Sequence, residues 1–349
     1  MIDPRMHQVC RRWLCLRNLI RMLVIAMVPL AHATHPHSPP SERAEVEALM
    51  ARVGAPSQRA IEEFKEAGME NVRAHTLTAD ERVKVEATLA SLPALNRHVL
   101  EKKLHQLAFV DGIPGEGTGL TSPAAMAGFY DITLRASILR EPLSTFLTTK
   151  ERRLFTGDGS GITVKASGAD TLTYVMLHES SHVVDKSCGI TTDPQSRFVA
   201  GIWIGQKQMV PQLASSIVAA TYFRGGGRLE AGQATILYDA LALTPFVSLY
   251  ATASAQEDFA ELVAWYEVLK QHNGVLVIEL NDARGKTLKR WEPLTSPGMQ
   301  RRFADVHELL ASQAPCRDLL SRIAAGATEE RFTPNEFARR DARGGTGLL

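Results

Sequence analysis

Long apolar runs are scarce in this 349-residue chain, and cysteine is scarcer still, with four in all. Beyond the N-terminal region no stretch of eighteen apolar residues occurs, which excludes an internal transmembrane helix. An excess of one charge is also missing. The 39 Lys and Arg nearly balance 38 Asp and Glu, for a formal charge of +1, and nothing in that balance suggests the concentrated basic face that a nucleic acid requires. The glycine-rich stretches 114–128 and Gly157–Gly161 have neither a P-loop lysine nor a strand-to-helix setting, which argues against a phosphate cradle. What remains is ordinary globular composition, 45% hydrophobic and 22% charged, in a chain long enough for one large domain or two smaller ones.

The N-terminus departs from that average. Arg11, Arg12, Arg17 and Arg21 precede the apolar run Met22–Leu30, and Ala31-His32-Ala33 follows as a small-residue cleavage pattern. A basic region, a short apolar region and an A-x-A site in that order predict a secretory signal peptide over residues 1–33. Pro29 and His32 break the run too early for a comfortable membrane span, so no span is expected once the leader is removed. Cys10 and Cys15 leave with it. Export would place Cys188 and Cys316 in an oxidising compartment, where they either pair or remain as buried thiols.

Residues 34–42, rich in Pro and His, read as a flexible lead. Helical periodicity follows over 44–53, 58–67, 79–92 and 95–105, a helical N-terminal part spanning 43–105 of a domain that runs to 326. Strand patterns occupy 106–113 and 129–139. In the second, Phe129, Asp131, Thr133 and Arg135 alternate with Tyr130, Ile132, Leu134 and Ala136, as in a half-exposed strand. The region 140–169 is turn-rich, with a brief strand over 162–165. Helical patterns return over 171–188, 198–210, 211–223, 229–243, 255–271 and 297–312, with Arg224-Gly-Gly-Gly-Arg228 as an interhelix turn or hinge. A hairpin is expected over 275–291, and 327–349 reads as a frayed tail. The fold class is α+β, mainly helical with a small mixed sheet.

The stretch that carries chemistry is Thr171–Gly189. Asp170 is placed to cap a helix, no Gly or Pro interrupts it, and Gly189 offers a stop. Within it His178-Glu179-Ser180-Ser181-His182 puts two imidazoles four residues apart on one helical face, able to grip one metal ion from the same side. Glu179 stands at the rim of that face. Leu172, Val175, Met176, Val183 and Val184 make the helix a buried one. Further on, Glu257 and Glu261 lie four apart on one face of a helix that Ser254 can cap. A solvated acidic helix start is the plainer reading of that pair. Asp258 is the next candidate acid, and Glu230 and Asp239 are weaker ones.

HESSH has the spacing of the zincin motif H-E-x-x-H, and with the downstream EDFAE it resembles the gluzincin type of zincin metallopeptidase. The metzincin continuation is absent, and His182 is far from Glu257 in sequence. The resemblance implies a zincin-like catalytic domain with one zinc ion held by His178, His182 and Glu257. Glu179 would be the general base, and Glu261 would hydrogen-bond a ligand histidine. It implies a peptide or protein substrate, lying along the edge of the 129–139 strand. Tyr250, just before the second acidic helix, could stabilise an oxyanion through its hydroxyl or simply fill the core. The expected activity is that of a secreted or periplasmic zinc peptidase. A non-catalytic envelope protein with a structural zinc site, and a zinc amidase acting on a cell-wall amide, would use the same residues.

Overall fold

The computed structural model describes residues 40–157, 161–314 and 316–324. The expected leader over 1–33 and the tail over 327–349 lie outside the described residues, as does most of the lead over 34–42. Residues 40–42, the end of that lead, already belong to the first helix. In chain order the first elements are α1 (Pro40–Met50), β1 (Val53–Gly54), α2 (Gln58–Glu66), β2 (Glu70–Ala74), α3 (Ala79–Ser91), α4 (Ala94–Lys103) and β3 (Leu104–Ile113). There follow β4 (Gly119–Pro123), β5 (Tyr130–Arg135), α5 (Leu143–Arg152), β6 (Ile162–Ala166) and α6 (Thr171–Cys188). The rest comprises α7 (Pro211–Ala214), α8 (Ala234–Ala242), α9 (Ala255–His272), β7 (Leu276–Asn281), β8 (Thr287–Trp291), α10 (Pro297–Ser312) and α11 (Arg317–Ala324).

The helix starts follow local chemistry. Ser57, Ser254 and Ser296 each accept a backbone N–H from the first turn of their helix, and Thr78 forms a reciprocal capping box with Glu81. Asp170 caps α6 through the Thr173 N–H at 2.8 Å, and Gly189 ends it in the left-handed conformation, φ 71°.

Two sheets flank the helices. In the larger, β3 pairs with β1 and β2 along one edge and runs parallel to β5 along the other; β5 in turn pairs antiparallel with β4. Leu107 and Thr121 stand on either side of Ile132. The smaller sheet is antiparallel, in the order β6-β7-β8, with β7 at its centre. The protein is thus mixed α and β, with a small mixed sheet that lays β4 against α6.

This topology corrects the expectation of a peptide-binding edge over 129–139. Both edges of β5 are occupied and all six of its residues are buried. Its alternation reflects one apolar and one polar buried face, not solvent. Asp131 meets His105 at 2.7 Å, and Arg135 meets Glu141 at 2.8 Å. The outer strand is β4, hidden in the stretch expected to be a glycine-rich loop. Three further expectations change. Residues 143–152 form a helix, not turns. Residues 198–210 are turns joined by a Trp203–Met209 bridge, opened by Gly201 at φ 78°. The 211–223 and 229–243 patterns break into short helical pieces, and α8 covers only the end of the second.

The core centres on α6, every residue of which from Thr171 to Asp185 is buried except the half-buried Thr173. It packs on α9, α4, α3 and β4. Tyr174 stacks on Trp265 of α9 with ring centres 5.1 Å apart. Each such large side chain contributes about 1.5–3 kcal/mol by leaving water. Ser180 and Ser181 are small enough to bring α4 close, and their hydroxyls accept from Asn96 at 2.8 and 3.3 Å.

Cys188, the last residue of α6, is disulfide-bonded to Cys316, 128 positions on, just before α11. In the chain-entropy model a closed loop of that length is worth roughly 5 kcal/mol. Cys316→Ala is therefore expected to lower unfolding free energy by about 3–5 kcal/mol. The loss should be visible as a lower urea midpoint, with wild type under reducing conditions matching the variant. Coincident denaturation curves with and without reductant would refute this role.

Candidate metal centre

Helix α6 offers His178 and His182 one turn apart, and the first turn of α9 offers Glu257 against them. The two Nε2 atoms are 3.0 Å apart. Glu257 Oε2 lies 3.0 Å from His178 Nε2 and 3.4 Å from His182 Nε2. Tetrahedral zinc with bonds of about 2.0–2.1 Å spaces its donors about 3.3–3.4 Å apart, so the three atoms form a triangle close to what one such ion requires. Two imidazole nitrogens facing each other at this separation share either a proton or a metal ion. All three residues are buried, and among the described residues they form the one group able to hold a metal ion. Two imidazoles and a carboxylate suit zinc and several other first-row ions.

Glu261, one turn beyond Glu257, faces the other nitrogen of the first imidazole. Its Oε1 is 3.1 Å from His178 Nδ1 and also accepts from the Tyr174 hydroxyl, while Oε2 accepts from Ser248 at 2.6 Å. A carboxylate there places the imidazole proton on Nδ1 and leaves the Nε2 lone pair for a metal. No such partner is present for the second imidazole, since His182 Nδ1 is buried with no hydrogen-bond partner among the described residues.

Glu179 is fully buried. Thr121 Oγ1, on β4, donates to its Oε2 at 2.6 Å, while Oε1 has no partner among the described residues. The carboxylate fits only because residue 119 is glycine. A Cβ at Gly119 would stand 2.3 Å from Glu179 Oε1. Tyr250 is brought to the same place: its hydroxyl bonds Glu257, and its ring centre lies 6.0 Å from that of His178. The other candidate acids lie elsewhere. Asp258 is bound by Arg302 at 2.7 and 3.0 Å and by Trp203 Nε1 at 3.0 Å. Glu230 bonds Thr156, and Asp239 bonds Lys289 and Trp291.

Thr121, Gly119, Ser248 and Tyr174 were not among the expected site residues. Tyr174 alone carried a signal, four residues before His178 on the same face. Thr121 and Gly119 sat in an unrecognised strand, and Ser248 in an irregular segment.

The charges are strongly coupled. Burial pushes the His178 imidazole down, but its hydrogen bonds to Glu257 and Glu261 and their charges carry it up to about 9. Burial pushes Glu261 up, and the His178 bond, the Lys150 charge and Ser248 hold it at about 2. Against the same burial, the two imidazoles keep Glu257 well below the usual carboxylate range. In Glu179 burial wins, and its pKa is raised.

These shifts set how a metal would enter. Below about pH 9 the metal-free His178 carries a second proton, which an ion on Nε2 must displace. Zinc titration at pH 8 is expected to release about one proton per chain, fading as pH rises through 9, measured by calorimetry in buffers of different ionisation enthalpy. Glu257→Ala is expected to weaken the binding of added zinc by roughly tenfold or more; an unchanged affinity would remove Glu257 from the candidate donors. Comparison with protein-family models, with curated proteins and with solved structures gives no match for this chain.

Proposed function

We propose that this chain is a zinc-dependent hydrolase of the gluzincin type, acting on peptide bonds in the periplasm or outside the cell. The observation that carries the reading is the convergence of His178, His182 and Glu257 within 3.4 Å, beside a buried Glu179 that none of the three needs for coordination. Bound there, zinc would supply Lewis acidity, polarising a scissile carbonyl and acidifying water. The protein's own groups do the rest. Glu179, anchored by Thr121 through one oxygen, takes a proton from the attacking water with the other and passes it to the leaving amine. Its raised pKa suits both halves of that transfer. Glu261 keeps His178 in the tautomer that coordinates. The Tyr250 hydroxyl, released from Glu257, donates to the oxyanion.

A substrate strand fits β4 better than β5. Arg135 N donates to Thr118 O at 2.8 Å and Ala124 N to Phe129 O at 2.9 Å. Ladder alternation then turns the N–H and C=O groups of Gly119 and Thr121 away from β5. An extended peptide added along that edge would run beside Glu179, using main-chain hydrogen bonds for affinity. Export agrees with the Cys188–Cys316 bond, since disulfides persist in oxidising compartments. No helix among the described residues is long and apolar enough to cross a membrane.

One observation favours a second reading, a structural metal clip without catalysis: the ligands are almost wholly enclosed, with His178 0% and Glu257 5% exposed. Against it, structural zinc sites close with four protein donors, and among the described residues three converge here.

Glu179→Gln separates the two. Hydrolysis of a peptide library should fall roughly 10²–10⁴-fold with zinc content unchanged; undiminished activity would defeat the mechanism. Gly119→Ala should behave similarly, because the added methyl displaces the Glu179 carboxylate, the movable end of that contact. The fold and zinc content are expected to persist while kcat collapses. An alanine variant as active as wild type would mean the Glu179 position is not critical.

A further inference from the structure

Lys150 occupies a place meant for a hydrophobic residue. The buried positions of α5 are Leu143, Phe146, Leu147, Lys150 and Glu151, the i, i+3, i+4, i+7, i+8 stripe that faces a protein interior. Lysine is almost never buried without a paired acid. Lys150 is 7% exposed, and its amine has no hydrogen-bond partner among the described residues; burial lowers its pKa, while the charges of Glu261, Glu257 and Glu151 favour the ammonium form. The neighbouring acid is engaged elsewhere, since Glu151 accepts from the Tyr238 hydroxyl at 2.6 Å.

What the ammonium does meet is an aromatic face. Nζ lies 3.3 Å from the centre of the Tyr250 ring and 6.0 Å from that of Phe223. A ring quadrupole attracts a cation most strongly where water is excluded. Phe223 meets Tyr250 edge-on, at 89° and 5.3 Å between centres. Lys150, Ser248, Tyr250 and Glu261 also line one cavity of about 20 Å³, room for a single water with several polar partners.

Resting on the reading of His178, His182 and Glu257 as a hydrolytic metal centre, we infer that Lys150 is a positioning residue acting through Tyr250. Its charge pins one ring face while Phe223 braces the ring, which fixes the ring position and keeps the phenol hydroxyl beside Glu257, from where it can turn to an oxyanion. The cation also draws electron density from the ring and makes the phenol a better donor. A neutral side chain of similar length would fill the space and leave the hydroxyl free to wander.

The test uses the full chain loaded with zinc, with 3-fluorotyrosine at position 250 followed by 19F NMR. Lys150→Met removes the charge and keeps the stem; Lys150→Arg restores a cation. A single sharp resonance is expected in wild type and Lys150→Arg, and a shifted or broadened one in Lys150→Met. On a quenched-fluorescence peptide library, Lys150→Met should lower kcat about tenfold, less than the loss of an oxyanion donor itself, with KM and zinc content unchanged and Lys150→Arg recovering much of the rate. Should the methionine variant fail to fold, Lys150→Gln carries the same comparison. An unchanged resonance in the neutral variant, or equal kcat, overturns the inference. If wild type cleaves no peptide yet the resonance responds as described, the positioning contact stands and the hydrolase reading falls.

Discussion

Charged groups meet away from water where α6 lies against α9, and the rest of the structure answers to that contact. Moving an ionised carboxylate or imidazolium into a packed interior costs several kcal/mol unless it finds an opposite charge and good hydrogen bonds. Here His178 sits between Glu257 and Glu261 at 3.0 and 3.1 Å, and Lys150 stands behind against the Tyr250 ring, with no hydrogen-bond partner among the described residues. Removing one member would strand the others, so the two helices must hold their spacing closely. Apolar packing supplies that rigidity. Tyr174 lies on Trp265, Phe198 meets Phe259 edge-on, and the buried length of α6 is clasped by α3, α4 and β4. The disulfide fixes the far end of α6 to the C-terminal segment.

The parts of this arrangement that were legible in the sequence are those whose geometry is local. His178 and His182, and likewise Glu257 and Glu261, are each joined by one helical turn, and Asp170, Gly189 and Ser254 mark the ends of their helices in the expected way. That the two pairs would meet was inferred from resemblance alone, since 75 positions separate His182 from Glu257 and no local rule spans such a gap. The illegible parts depend on tertiary context. Gly119-Leu-Thr-Ser-Pro123 has little strand propensity of its own; it is extended because β5 offers it a ladder. Leu143–Arg152, with four Ser and Thr residues among its first seven and no side-chain cap, is helical because its apolar stripe has a core to enter. Strand β5 misled for the opposite reason: its alternation was real, but the polar face was buried against partners that the sequence does not announce.

One detail explains why Glu257, and not its neighbour, reaches the histidines. Adjacent helical residues point about 100° apart, so the rotation of α9 about its own axis decides which acid faces α6. Asp258 is held from the other side by both guanidinium arms of Arg302, on α10, and by the Trp203 indole. That clamp fixes the rotation. With Asp258 committed to α10, Glu257 and Glu261 turn together toward His178, one to each ring nitrogen. Ser254 holds the helix start and places Glu257 in the first turn, where backbone N–H groups favour a negative charge. A buried ion pair of this kind adds little net stability when a packed apolar pair could replace it. Its value lies in choosing one rotation of α9 over the alternatives, which is what a three-donor site divided between two helices requires.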